Sequence, residues 1–192
     1  MGAWGHQPLE NDAAWDIIGS ITEQVIACIT AALGAGDATR ARQAIWLLGQ
    51  LDARVPAVVL PESEILTEWR AGLLMLATSP ESHTTSMAAV AAMPLATAIV
   101  SERLAGFITE GLNRQRDQDV LAALGLLALL SPDIDGIVLP SADTLDDWER
   151  RFWTINLSDW IDPDARAQAA RETFAALRAR RLPTTTDRKS VV

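Results

Sequence analysis

The chain repeats itself, without a gap, at an offset of 79 residues. Thr22–Leu33 (TEQVIACITAAL) aligns with Ser101–Leu112 (SERLAGFITEGL), Ala44–Leu51 (AIWLLGQL) with Ala123–Leu130 (ALGLLALL), and Val55–Trp69 (VPAVVLPESEILTEW) with Ile134–Trp148 (IDGIVLPSADTLDDW). From Glu23/Glu102 to Trp69/Trp148 there are 13 identities in 47 pairs. Chance would give roughly 4 in a chain so rich in Ala and Leu. Self-similarity at one period constrains the architecture before any residue-level reading, because each copy is one supersecondary unit that buries its apolar face against its neighbour.

Within the first copy the apolar spacing is helical. Ile18, Ile21, Val25, Cys28, Ile29 and Ala32 mark one face of a helix from Asn11 to about Leu33, capped by Asn11 and ended by Gly34 and Gly36. A second helix runs from an Asp37 cap to Leu51, and a third from Pro61 or Glu62 to about Ala77. Along the third, Leu66, Trp69, Leu73 and Leu76 form a stripe whose copy is Leu145, Trp148, Phe152 and Ile155. Two sets of residues with one spacing and one shared tryptophan read as a core-packing face. Ala57–Leu60 and Gly136–Leu139 could be short extended segments, and are better read as apolar loops against the core. Asp162 and Pro163 open a last helix, with Ala167, Ala170, Phe174 and Leu177 on its apolar face.

The expected class is therefore all-α: two tandem copies of a three-helix unit plus a C-terminal helix, in one compact helical domain. Its divisions are residues 1–77 (N-terminal motif and first copy), 78–93 (linker), 94–156 (second copy), 157–182 (C-terminal helix) and 183–192 (flexible tail).

Charge and cysteine content narrow the function. A net charge of −9 argues against nucleic-acid binding. Residues 1–90 carry 10 acidic and 4 basic side chains, a net −6; this suits a basic partner, or simple solubility. Cys28 is the only cysteine and aligns with Phe107, so it reads as a buried small hydrophobe in a reducing compartment. The longest apolar run, Met87–Val100, has 14 residues and contains Pro94, short of the about 20 that a membrane span needs. A soluble, cytoplasmic protein is expected. One lysine against fifteen arginines, with no tyrosine, suggests a GC-rich bacterial genome.

The first 16 residues, MGAWGHQPLENDAAWD, hold the densest motif. Gly2 and Gly5 allow a tight turn about Trp4. Asn11 caps the helix, Asp12 and Asp16 favour its positive end, and Trp15 can pack back on the incoming chain. The same stretch admits a second reading, in which His6, Glu10, Asn11, Asp12 and Asp16 form a polar site for a divalent metal or acid–base chemistry. No diagnostic ligand spacing supports it, and the second copy places Thr85, Ala89, Val90, Ala91 and Leu95 there. His83 sits in a polar linker and reads as solvated. No metal or cofactor is expected.

Gly2-Ala3-Trp4-Gly5, Pro8-Leu9-Glu10-Asn11-Asp12 and Asp16 resemble the opening signature of the bacterial family catalogued as domain of unknown function 4259, roughly GAWG-x-G-x-F-END-x-A-x-DW. The resemblance covers about the first 80 residues and departs at Gln7, Leu9 and Ile17. It implies no activity.

These residues point to a non-enzymatic protein-interaction module, by analogy inhibitor- or immunity-like, since stacked helical repeats usually present binding surfaces. The alternatives are a metal- or small-molecule-dependent enzyme using the N-terminal cluster, and a structural homo-oligomer. Seven tryptophans exceed ordinary usage, and exposure of Trp4, Trp15, Trp46, Trp153 or Trp160 favours the interaction reading.

Overall fold

A computed structural model describes residues 12–56, 58–78, 93–156 and 162–181, the side chains of 93–95 excepted. The described residues are helical, with no strand among them: α1 (Asp12–Gly34), α2 (Ala38–Asp52), α3 (Ser63–Thr78), α4 (Met93–Asn113), α5 (Asp117–Leu130), α6 (Ala142–Phe152) and α7 (Pro163–Arg181). The expected linker (78–93) and tail (183–192), with His83 and Trp160, lie wholly or almost wholly outside the described residues.

Local chemistry sets the helix limits. α1 ends on Gly36, whose φ of 75° lets the Asp37 N–H donate back to the Ala32 carbonyl at 2.8 Å. The Asp37 side chain then caps α2 by accepting the Arg40 N–H at 2.9 Å. Ser141 caps α6 through the Thr144 N–H at 3.0 Å. Asp162 accepts the Ala165 N–H at 3.0 Å, with Pro163 in the first turn of α7.

The core lies among α1, α2, α4 and α5. α1 contributes Ile17, Ile18, Ile21, Val25 and Ile29, and α4 contributes Val100, Leu104 and Ile108. By length and composition α1 could cross a membrane, a property the reading of apolar runs missed; 44% of that stretch is buried inside the bundle. α5 is buried on all sides, through Val120, Ala122, Ala123, Leu124, Leu126, Leu127 and Leu130, as a helix apolar all round must be. α2 is one-sided: Ala44, Leu47, Leu48 and Leu51 face in, while Arg42, Trp46 and Gly49 face out. α7 packs on α5 and α6.

Three expectations need correction. Trp69 and Trp148 are both buried, as are Leu145, Phe152 and Ile155, but Leu66 is exposed and Leu73 and Leu76 are only half-buried. The stripe on α3 is thus not a full core face, because no described helix lies on α2 and α3 as α7 lies on α5 and α6. Cys28 is half-buried and lines a surface cleft, since Val25, Ile29 and Ala32 take the inward positions of α1. The two apolar loops are half tucked in: Val58 and Ile137 are buried, whereas Val59, Leu60 and Val138 are exposed.

Candidate interaction surface

The N-terminal motif is represented by its last members. Asp12 and Asp16 are exposed on the first turns of α1, and Trp15 is 47% exposed. Gly2, Trp4, Gly5, His6, Glu10 and Asn11 lie outside the described residues. Among the described residues no group of three or more His, Cys, Asp or Glu side chains is placed to hold a metal ion.

Clefts open on the surface among the described residues. One, of about 520 Å³, lies between α1, the start of α2 and α4. Its walls are Ala27, Ala31, Ala32 and Ala35 with Cys28 and Ile99, and its charged groups are Asp37, already capping α2, and Arg40. A second, about 300 Å³, is bounded by Glu102, Leu127, Leu139 and Trp148. There Ser101 Oγ accepts the Val138 N–H at 2.9 Å and donates to the Thr97 carbonyl at 3.1 Å, so the hydroxyl is committed to holding the loop. A third, also about 300 Å³, runs between α1 and α3, with Thr30, Leu33, Ile65, Glu68, Trp69 and Gly72 along it. None brings a nucleophile to a base or a cluster of acids to a point.

The surface of α5 and α6 is finished by α7. Phe174 packs edge-on against Phe152 with ring centroids 6.3 Å apart, and both are fully buried with Leu177. Arginines flank this apolar stripe, and four of them are engaged. Arg166 donates to Asp117 at 2.6 Å, with side-chain exposures of 12% and 4%. Arg178 bridges Glu149 and Asp146; the hydrogen bond to Glu149 is the larger cause, followed by that to Asp146, holding its guanidinium above the ordinary arginine range. Arg180 reaches the Ala128 carbonyl and Ser131, and Arg171 lies 5.3 Å over the Trp153 ring. Sequence analysis left these arginines unassigned. The available signal was the set of acids, Asp117, Asp146 and Glu149, on the helices they meet.

The face of α2 and α3 is different. Trp69 seats α3 on the core, and Ile65, Glu68 and Gly72 line its edge toward α1. The adjoining side of α3 carries Leu66, Arg70 and Leu73 at helical spacing. Leu66 is 42% exposed, Leu74 58%, Met75 73%, and Trp46 on the outer side of α2 38%. Contiguous large apolar side chains in solvent mark interaction surfaces. Arg42 and Arg70, exposed beside them, form no ion pair among the described residues. Compared with models of protein families, with curated proteins and with solved structures, the chain matches none.

Proposed function

We propose that the chain is a duplicated helical module that binds another protein through the α2–α3 face bearing Trp46, Leu66 and Leu73. The duplication extends the 79-residue sequence period to the helices. Gly34 and Asn113 end α1 and α4, Ala38 and Asp117 begin α2 and α5, and Ser63 and Ala142 begin α3 and α6, each pair 79 apart. The turns support it in detail. Gly36 and Gln115 both take positive φ, and the bonds Asp37 N–H to Ala32 O and Arg116 N–H to Gly111 O are each 2.8 Å. Where the first half packs Ala32 near Ala41, the second has Gly111 against Val120. There a β-carbon on Gly111 would lie 2.8 Å from Val120 Cγ2, so the volume lost on one helix is regained on the other. Arg54 touches Asp133, its own counterpart, at 3.1 Å to the carbonyl. Contact between equivalent residues is what an approximate two-fold axis between the halves produces.

The observation that carries the function is the unequal fate of equivalent faces. Leu145 and Phe152 are fully buried beneath the α7 side of the molecule; 79 residues earlier, Leu66 remains in solvent and Leu73 is only half-buried. On this reading α7 is an internal instance of the helix that the first face receives from a partner. α1 lies inside the bundle and the chain carries −9, both of which favour a water-soluble protein. Resemblance to the family of domain of unknown function 4259 adds no activity.

The test is to identify a partner by affinity purification and repeat the binding with purified components. Leu66→Glu should abolish binding while Val138→Glu, on the exposed loop of the other half, leaves it intact. Undiminished binding by Leu66→Glu refutes the assignment of the face.

A further inference from the structure

We infer that the partner presents an amphipathic helix with acid, not base, beside its apolar stripe; this rests on the duplicated-module reading above. α7 shows what such a helix needs. Its stripe is Ala170, Phe174 and Leu177, and its charges are Arg166 and Arg178, answered by Asp117, Asp146 and Glu149. The positions 79 residues earlier are Ala38, Thr67 and Arg70. All three acids are gone, and one is replaced by the opposite charge.

The consequence is a charge code. A helix like α7, including α7 of a second copy, would bring Arg178 against Arg70 and strand Arg166 over Ala38. Like charges at a desolvated contact and a guanidinium without an acceptor both oppose that complex, which is specificity by repulsion. Arg42 stands where the second half has Leu121, so one more positive group replaces an apolar one. Asp52, in place of Ser131, is the acid added near the far end. The first 90 residues are acidic as a whole, which favoured a basic partner; at the positions equivalent to Asp117, Asp146 and Glu149, however, no acid is present and Arg70 stands for Glu149. Trp46 replaces Gly125, which is buried, so an exposed indole takes the place of a covered glycine.

Two labelled 19-residue peptides test this against the full-length protein by fluorescence anisotropy. One has the native α7 sequence, Pro163–Arg181; the other carries Arg166→Ala and Arg178→Glu. The substituted peptide should bind at least about 10-fold more tightly, and its affinity should fall as salt rises. Arg70→Glu in the protein should reverse the order of the two peptides, and Leu66→Glu should remove binding of both while the helical melting curve is kept. Equal affinities, no saturable binding of either peptide, or a preference that survives Arg70→Glu would overturn the inference. So would a dimer in sedimentation that Leu66→Glu dissociates, since the occupant would then be a second copy. If an identified partner loses binding to Leu66→Glu while the peptides fail to exchange preference, the binding-module reading stands and the acidic-helix assignment falls.

Discussion

Leu145→Ala and Leu66→Ala remove the same atoms from the same position of the third and sixth helices, so their costs should differ only through what covers them. Leu145 is completely buried, in the stripe with Trp148 and Phe152. Its truncation forfeits about 1.5–3 kcal/mol of transfer free energy and leaves an enclosed cavity, for a total of about 2–5 kcal/mol. Leu66 is already 42% exposed. Solvent fills the space its side chain leaves, no closed cavity forms, and the loss should be about 0.5–1 kcal/mol. Helix propensity contributes little, since Ala and Leu are both strong helix formers. Urea titration followed by circular dichroism at the helix band reads the difference. With a slope of about 3 kcal/mol per molar, Leu145→Ala should lower the midpoint by about 1 M and Leu66→Ala by about 0.3 M or less. Equal shifts would mean that Leu66 is covered in solution. The uncovered face, and with it the binding assignment, would then be refuted.

Two further outcomes follow from single contacts. Asp117→Ala leaves the nearly buried Arg166 without this carboxylate and should cost about 3–5 kcal/mol, with the double variant Asp117→Ala/Arg166→Leu recovering part of it in the same melting assay. Gln115 holds a φ of 57°, where the first half has Gly36, so Gln115→Gly should raise stability by about 0.5–1 kcal/mol and Gly36→Gln should lower it by a similar amount; a fall for Gln115→Gly would show that its side chain contributes more than the strain it carries.

The helices were legible because their limits are local chemistry. Asp37, Gly36 and the Asp162–Pro163 pair announce caps and stops within one turn of where they act. Cover was not legible. The stripes Leu66/Trp69/Leu73/Leu76 and Leu145/Trp148/Phe152/Ile155 have identical spacing, and only the seat of a non-local element, α7, separates exposed Leu66 from buried Leu145. Cys28 was misplaced for a related reason. Alignment with Phe107 marks equivalence, not burial, and both residues sit half-buried at the edge of their helices. The charge pattern was legible in principle: acids at 117, 146 and 149 have no acidic counterparts at 38, 67 and 70.

That asymmetry follows from the proposed duplication. Two related three-helix units create two equivalent seats for a covering helix, but the described chain supplies one such helix, α7, and its arginines match the acids of one seat. The other seat is then free of any requirement to pair with α7. If it served nothing, solvation would favour polar side chains on it, as on the outer faces of ordinary surface helices. Instead it holds Trp46 and Leu66 in solvent, with Arg42 and Arg70 exposed on the same two helices. Large apolar side chains kept at a basic-flanked face are costly in a free monomer and useful in a complex. The physics that makes α7 fit the second half therefore also argues that the first half is built for a different helix.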